Sequence, residues 1–229
     1  MELKIKDMVE LLQISEKTLY RWIQDKKIPC YRINHQYRFN RAEINEWILS
    51  QKIELSPRLL ELSIAGRPTH FTELLQSGGI HYELYGATVK EVLSTALSAI
   101  RTPEGIAKAD ILAALLDREG MMSTGIGRGI AIPHPRNPII AAVEDARVAL
   151  CFPKVPVDFG ALDGKPVHAF FVILTSSPRR HLEVLSKISY LCQSDAFVAL
   201  LEQRANAGQL LAFIREQEAQ WRAKEPARA

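Results

Sequence analysis

The sequence STGIGRGIAIPHPR, at residues 123–136, sets the interpretation of most of this chain. Glycines alternate at positions 125, 127 and 129, and a glycine backbone lets several N–H groups crowd around an anion. His134 follows between Pro133 and Pro135, which predicts a rigid, partly exposed imidazole beside those donors. Such a ring suits the acceptance of a phosphoryl group. On spacing alone, however, a turn with an ordinary surface histidine is the more frequent explanation.

The segments around this stretch predict an α/β domain at residues 71–222. Strands are expected at residues 80–84, 129–132, 146–152 and 167–174. The last of these is a continuous apolar run, which is typical of a strand buried on both faces. Thr88 and Glu91 form a capping-box pair for a helix that follows them. Further helices are expected at residues 108–118, 181–192, 196–203 and 207–221.

Residues 1–52 predict a small helical domain with a β-hairpin. Its helices and strands are expected at residues 6–12, 16–24, 30–33 and 37–39, with a turn at residues 34–36. Ser15 is the expected N-cap of the second helix, and Asn40 with Glu43 predicts a third helix ending near residue 50. Residues 53–70 are interrupted by proline and glycine and predict a linker, with a short helix at residues 59–64.

Positive charge is concentrated in the first domain. Seven Lys or Arg residues lie between positions 17 and 41, and Asp25 is the single acid among them. A basic second helix followed by a basic hairpin suits the phosphate-lined groove of DNA, whereas a solvated basic face is the alternative. The helix-turn-helix spacing favours DNA. The residues predicted to contact DNA are Lys17, Thr18, Tyr20, Arg21, Gln24, Arg32 and Arg38.

The overall composition is that of a globular protein, with 47% hydrophobic and 24% charged residues and a net charge of +3. Three widely spaced cysteines, Cys30, Cys151 and Cys192, predict neither a disulfide framework nor a zinc site, and they favour the cytoplasm. The histidines lack metal-ligand spacing, so no metal is expected. No nucleotide-binding glycine motif is present in the sequence, so no cofactor is expected either.

The segment LLDREGMMSTGIGRGIAIPHPR, residues 115–136, resembles the active-site motif of the mannitol/fructose- and nitrogen-type IIA family of the bacterial phosphotransferase system. Three other segments resemble the family in the same order, namely SGGIHYELYGATVKEVLSTAL, DFGALDGKPVHAFFVIL and SSPRRHLEVLSKIS. The resemblance spans about residues 71–218. It implies an α/β sandwich that takes phosphate from an HPr-like phosphocarrier protein.

The resemblance also implies roles for individual residues. His134 matches the phosphorylated histidine, with Nε2 as the accepting atom, His181 matches a second active-site histidine, and Arg118 matches an arginine that balances phosphate charge. The segment implied to bind phosphate comprises Ser123, Thr124, Gly125, Gly127, Arg128 and Gly129. Two positions depart from the family pattern: Arg128 replaces the usual Asn or acid, and Pro135 replaces the usual Gly and removes a backbone donor.

The first fifty residues resemble an excisionase-type helix-turn-helix related to the MerR winged group. The matching stretch is LKIKDMVELLQISEKTLYRWIQDKKIPCYRINHQYRFNRAEINEWI. By this resemblance, residues 16–24 are the recognition helix and residues 32–38 are the wing. Winged helix-turn-helix proteins commonly bind DNA as dimers, so a homodimer is one open alternative.

Three functions follow from joining these two domains. The first is a DNA-binding regulator whose IIA domain is phosphorylated on His134. The second is a phosphocarrier that relays phosphate to a IIB protein. The third is a binding module whose IIA domain takes no phosphate, for which the departures at Arg128 and Pro135 are the motive. None of the three requires insertion into a membrane.

Overall fold

The structure is a computed structural model of the 229-residue chain. It describes residues 2–12, 14–25, 27–33, 36–40, 44, 47, 70–102, 105–136, 139–140 and 146–223. The chain divides into two compact units, Met1–Ala65 and Gly66–Ala229. The boundary between the units falls inside the predicted linker, and the short helix predicted at residues 59–64 lies outside the described residues.

The first unit contains two helices and a three-stranded antiparallel sheet. Its elements are β1 Glu2–Leu3, α1 Ile5–Leu12, α2 Glu16–Gln24, β2 Tyr31–Ile33 and β3 Gln36–Asn40, and the sheet order is β1-β3-β2. Ser15 caps α2, because its side chain accepts a hydrogen bond from the backbone N–H of Thr18. The core includes Met8, Leu19 and Phe39, none of which is exposed to solvent.

The sequence predicted most of this unit. The second helix has its predicted bounds, and the hairpin is present, but Gln36 belongs to a strand rather than to the predicted turn. The two-residue β1 is too short to leave a periodic pattern, so it was not predicted. The third helix is described only at Ile44 and Trp47, which are helical and buried, and its other residues lie outside the described part of the chain.

The second unit is built on a mixed sheet of five strands with helices around it. Its elements are α3 Phe71–Gly78, β4 Ile80–Leu84, α4 Val89–Ala99, α5 Lys108–Met121, β5 Gly125–Gly127, β6 Ile130–Ala131, β7 Arg147–Pro153, β8 Ala169–Leu174, α6 Pro178–Gln193, α7 Asp195–Glu202 and α8 Ala207–Ala223. The sheet order is β4-β7-β8-β6-β5. Strand β8 is fully buried, as its apolar sequence predicted.

Helix α3 was not predicted, and its ends explain two features of the domain. Its N-terminal N–H groups at Phe71 and Thr72 donate to the buried carboxylate of Glu218 on the last helix, α8. Its last residue, Gly78, lies directly against strand β7, where an added Cβ would be 2.2 Å from the carbonyl oxygen of Val148. The helix is therefore held to α8 at one end and to the sheet at the other.

The sheet positions two chain segments side by side at one edge. Strands β6 and β8 are parallel neighbours, so their C-terminal ends point the same way. Beyond the end of β6, the carbonyl of Pro133 accepts from the backbone N–H of Ile173, near the end of β8, and the N–H of Ile132 donates to the carbonyl of Thr124. The residues that follow β6 and β8 consequently meet at one place, where helix α6 begins.

Among the described helices, none alone is long and apolar enough to cross a bilayer. One bent pair, Arg180–Gln193 with Asp195–Glu202, reaches that length and apolarity when the two helices are taken together.

Candidate functional site

His134 lies three residues beyond β6, and a short hydrogen bond fixes its ring. Its Nδ1 is 2.7 Å from the carbonyl oxygen of Ile132. A carbonyl oxygen can only accept, so Nδ1 carries the hydrogen in a neutral ring. Nε2 therefore holds the lone pair and is the nucleophilic nitrogen of this side chain.

His181 contacts the ring of His134 from the first turns of helix α6. The two ring centroids are 4.8 Å apart, and the ring planes are inclined by 56°. Nδ1 of His181 lies 3.4 Å from the hydroxyl oxygen of Thr175, which follows strand β8. The structure thus brings together the two histidines that the sequence singled out, although they are far apart along the chain.

The predicted exposure of the His134 ring was wrong. The sequence predicted a partly exposed imidazole, whereas His134 exposes 3% of its surface and His181 exposes 8%. Pro133 and Pro135 are also buried, and the start of helix α6 lies against the ring. A pair of prolines stiffens the chain but does not decide whether another element covers it.

The hydroxyl pair Ser123 and Thr124 is engaged within the protein. The Ser123 hydroxyl donates to the carbonyl of Phe159 at 2.5 Å and accepts from the N–H of Gly125 at 3.0 Å. Both the N–H and the hydroxyl of Thr124 donate to the carboxylate of Glu119, at 2.9 and 2.5 Å. These contacts shape the loop that leads to β5, and phosphate binding by the two hydroxyls stays a prediction.

Glu119, near the end of helix α5, supports this loop and was missed by the sequence reasoning. Its carboxylate binds Thr124 through both oxygens, and Thr124 in turn accepts the N–H of Ile132 with its carbonyl. Glu119 thereby supports the segment that leads to His134. An acid following Arg118 near the end of a helix was the available signal, and it is a weak one.

Arg118 is buried on the last turn of helix α5, with 4% of its surface exposed. Its Nη1 donates to the carbonyl oxygen of Met122 at 2.7 Å. Arg118 therefore orders the backbone immediately before Ser123. Its predicted contact with phosphate remains a prediction.

The glycine-rich segment forms a hairpin turn rather than a cradle around His134. Strands β5 and β6 are antiparallel, with Gly127 opposite Ile130 and a two-residue turn between them. Arg128 and Gly129 occupy this turn with φ values of +57° and +69°, and positive φ at both central residues is what a type I′ turn requires. A Cβ on Gly129 would be 2.4 Å from the ring of His168, so that ring leaves no room for a side chain here.

The turn lies at the other end of β6 from His134, so the structure does not bring Arg128, Gly127 and Gly129 together with that ring, and their phosphate contact stays a prediction. The Arg128 guanidinium donates to the carbonyl of Cys192 at 3.2 Å and pairs with Asp195 at 2.5 Å. Cys192 and His181 are eleven positions apart in helix α6, which corresponds to about 17 Å along the helix axis. The turn lies at the N-terminal end of β6, whereas His134 follows its C-terminal end. Gly125 lies at the His134 end of β5, where its N–H donates to Ser123.

His168, directly before strand β8, supports the turn. Its Nε2 lies 3.2 Å from the carbonyl oxygen of Arg128, which makes Nε2 the donor. Burial lowers the pKa of His168 below its ordinary value, and the hydrogen bond to Arg128 partly opposes this. His168 is thus packed against the turn and hydrogen-bonded to it. The described residues contain no group of three His, Cys, Asp or Glu able to hold a metal ion.

In the first unit, one side of helix α2 is basic and exposed. Lys17, Arg21 and Gln24 are exposed, and Tyr20 exposes 42% of its surface, while Leu19 and Ile23 face the core. Thr18 is half-buried, and its hydroxyl lies 2.9 Å from that of Ser15 in the helix cap. Its predicted contact with DNA competes with this capping role.

The hairpin β2–β3 carries Arg32 and Arg38, the other two basic residues predicted to contact DNA. The Arg32 guanidinium is exposed and lies 5.9 Å from the ring centroid of Tyr37, a cation–π contact. Arg38 is half-buried and donates to the carbonyl of Tyr37 and to the side chain of Gln36. Tyr37 also meets Tyr20 edge to face, with ring centroids 6.1 Å apart, so the hairpin is packed on helix α2.

Two family models match the chain. The one described as "Phosphoenolpyruvate-dependent sugar phosphotransferase system, EIIA 2" matches residues 73–217, more than half of the chain. The one described as "Helix-turn-helix domain" matches residues 2–52. The two matches correspond to the two compact units of the fold.

Individual relatives agree with the larger match. The nitrogen regulatory protein of Pseudomonas aeruginosa is 37% identical over 121 residues, which are 51% of this chain and 76% of that protein. The crystal structure of nitrogen regulatory protein IIA-Ntr from Neisseria meningitidis superposes with a TM-score of 0.55 at 31% identity, covering 62% of this chain and 97% of that one. The PTS system fructose-specific EIIABC component of Bacillus subtilis is 44% identical over 80 residues, 34% of this chain but 12% of that protein. The chain therefore spans only a small part of this last relative.

Proposed function

Because the chain belongs to the phosphoenolpyruvate-dependent sugar phosphotransferase system EIIA 2 family and begins with a helix-turn-helix domain, we propose that it is a DNA-binding regulator that accepts a phosphoryl group on His134. The donor is a phosphohistidine on an HPr-like carrier protein. The observation that carries the proposal is the hydrogen bond from Nδ1 of His134 to Ile132, which leaves Nε2 as the nucleophile beside His181.

The transfer step exchanges one phosphorus–nitrogen bond for another. Nε2 of His134 attacks the phosphorus while the bond to the donor imidazole breaks, and the donor ring takes that electron pair. The donor ring, protonated on its other nitrogen, leaves as neutral imidazole, and His134 becomes a phosphoimidazolium that keeps its hydrogen on Nδ1. The carbonyl of Ile132 then accepts a hydrogen bond from a charged donor, which is stronger than one from a neutral donor.

The burial of His134 places a condition on this step. With 3% of the residue exposed, the ring must open toward the carrier before in-line attack. Docking of the carrier provides the free energy for that opening, since a partner that binds the open state shifts the population toward it. Transfer is thereby restricted to a specific carrier protein.

The test is phosphorylation by purified phosphoenolpyruvate, enzyme I and HPr, followed by intact mass measurement. Wild type should gain one phosphoryl group, and His134→Ala should gain none. His168→Gln is the matched control, because it changes a histidine that lies at the other end of β6, beside the Arg128 turn. Absence of a mass gain in wild type under conditions where a nitrogen regulatory IIA protein is phosphorylated would overturn the proposal.

The same burial favours a second candidate, a binding module that takes no phosphate. In that case the EIIA domain binds a partner through its surface, and the two histidines only pack against each other. The mass measurement separates the candidates, and a phosphorylated wild type removes this one. A relay to a IIB protein is the remaining alternative, and discharge of the phosphorylated chain onto a purified IIB domain would support it.

The DNA-binding part of the proposal rests on the exposed basic face of helix α2. Lys17 and Arg21 are the residues expected to meet DNA, with Arg32 of the hairpin beside a neighbouring phosphate. We expect phosphate on His134 to change the affinity for DNA. Footprinting of wild type and His134→Ala, with and without the phospho-donor, tests this link, and equal affinity in all four samples would contradict it.

A further inference from the structure

Thr175 is a buried residue that joins strand β8 to the histidine pair. It exposes 2% of its surface, and its hydroxyl oxygen lies 3.4 Å from Nδ1 of His181. Strand β8 is itself fixed to the segment that carries His134, because the N–H of Ile173 donates to the carbonyl of Pro133. Thr175 therefore stands at a defined position relative to both rings.

A threonine hydroxyl can donate one hydrogen bond and accept two. When it donates to Nδ1 of a neutral His181, the hydrogen of that ring must sit on Nε2. Nε2 of His181 is then a hydrogen-bond donor, whereas Nε2 of His134 is a lone-pair nucleophile. With the hydroxyl as donor, the two neighbouring rings, chemically identical in isolation, have opposite roles.

We propose that Thr175 is a positioning residue for phosphoryl transfer, which holds His181 in the tautomer and orientation that donate Nε2–H to the phosphoryl group on His134. This inference rests on the proposed function of His134. A donor already oriented at the place where negative charge collects lowers the barrier without reorganisation during the step. Thr175 itself acts through His181 and does not need to touch the phosphoryl group.

The length of the contact is consistent with this role. At 3.4 Å the hydroxyl–imidazole bond is longer than ordinary hydrogen bonds of this type. Hydrogen bonds of catalytic groups are often long in the resting state and shorten when the reacting group is bound. Should His181 become protonated beside the phosphoryl group, the same hydroxyl can accept from Nδ1–H, so it supports the ring in either state.

The experiment compares Thr175→Val with Thr175→Ser in the full chain. Valine keeps the branched shape but removes the hydroxyl, and serine keeps the hydroxyl. Nitrogen NMR of the histidine rings reports the tautomer of His181 directly, without any phosphotransfer. We expect Nε2–H in wild type and Thr175→Ser, and a mixture of tautomers in Thr175→Val. An unchanged His181 tautomer in Thr175→Val would overturn the inference, whatever the outcome for phosphorylation.

Phosphorylation rates provide the second readout, in a cycle with His181→Ala. Thr175→Val should slow phosphorylation by HPr roughly tenfold, as expected for the loss of one oriented donor, and Thr175→Ser should stay within about twofold of wild type. In the His181→Ala background, Thr175→Val should have no further effect on the phosphorylation rate, because the two residues act as a unit.

An equal slowing in both backgrounds would mean that Thr175 acts through packing alone, and the inference would fail. If wild type takes no phosphate, the proposed function fails and the transfer role of Thr175 fails with it, while the tautomer measurement still shows whether Thr175 sets the tautomer of His181.

Discussion

Nδ1 of His134 and the carbonyl oxygen of Ile132 lie 2.7 Å apart, within a span of two residues. The contact is set directly by the conformation of one short segment after β6. It fixes which nitrogen of His134 can react. Under the proposed function, backbone geometry would therefore set which isomer of phosphohistidine forms.

Phosphorylation of His134 should give the Nε2-phosphorylated isomer alone. The other isomer would require Nδ1 to lose its bond to Ile132 and leave a buried carbonyl without its donor. Phosphorus–nitrogen couplings in NMR of the ¹⁵N-labelled, phosphorylated chain identify the isomer. Detection of the Nδ1 isomer as the main product would contradict the assignment.

Arg128→Asn should leave phosphorylation almost unchanged while reducing stability by about 1 kcal/mol. Asparagine tolerates positive φ, so the turn survives and only the guanidinium contacts are lost. Most of the effect comes from the bond to the Cys192 carbonyl, because the side chain of Asp195 is 94% exposed and its ion pair is screened. Urea denaturation measures the loss of stability, and the phosphorylation rate of the variant is compared with that of wild type. A tenfold slower phosphorylation would instead favour a direct role in phosphate binding.

Gly129→Ala should destabilise the domain by about 3 kcal/mol, through a positive φ and a clash with the ring of His168. The matched control is Gly164→Ala. Gly164 has a similar φ of +66°, but an added Cβ there would meet nothing within 4 Å, so we expect a cost of about 1 kcal/mol. Equal losses in the two variants, measured by urea denaturation, would show that the His168 ring moves aside without cost.

Lowering the pH should destabilise wild type more than His168→Gln. The pKa of His168 is lowered in the folded state by burial, so the unfolded chain binds more protons between the folded and the ordinary value of about 6.5. The neutral ring therefore contributes its full stability above the ordinary pKa and loses it as the pH falls toward the lower folded pKa. Urea denaturation of both proteins at pH ~7.5 and ~5.5 measures how much unfolding free energy each loses. Equal losses in the two proteins would show that His168 does not contribute to the pH dependence.

Lys17→Ala and Arg21→Ala should each weaken DNA binding roughly tenfold. Each lost phosphate contact should also reduce the slope of log affinity against log salt concentration by about one. Lys154→Ala, which removes an exposed charge from the second unit, is the control and should leave affinity unchanged. Titration of operator-containing DNA at several salt concentrations gives both quantities. A loss of affinity without a change of slope would place the contact at a base edge rather than at a phosphate.

The sequence predicted those elements whose own residues carry a strong pattern. The strand Ile80–Leu84 and the helix Glu16–Gln24 have their predicted bounds, and the apolar run of β8 is a central buried strand. Strand β5 was missed, because Gly125 and Gly127 have little intrinsic preference for a strand, and it forms only by pairing with β6. Helix α3 was missed, because it follows directly on a segment interrupted by proline and glycine.

The resemblance predicted which histidines lie in the site. It did not predict their burial, because burial depends on how distant elements pack. His134 and His181 were singled out together, and their rings are in contact. The burial of His134 depends on the start of helix α6, more than forty positions away, which no local pattern reports. The glycines near His134 suggested an anion site, but Gly129 belongs to a type I′ turn that directs Arg128 to the far end of α6.

The carboxylate of Glu218 that holds the first turn of α3 has a practical consequence for dissecting the protein. Any fragment of the second unit that stops short of α8 removes the carboxylate that accepts from the amides of Phe71 and Thr72 and from the Thr72 hydroxyl. This contact joins the first and the last helix of the second unit, which are nearly 150 residues apart in sequence. An isolated EIIA fragment should therefore include both the start of α3 and helix α8.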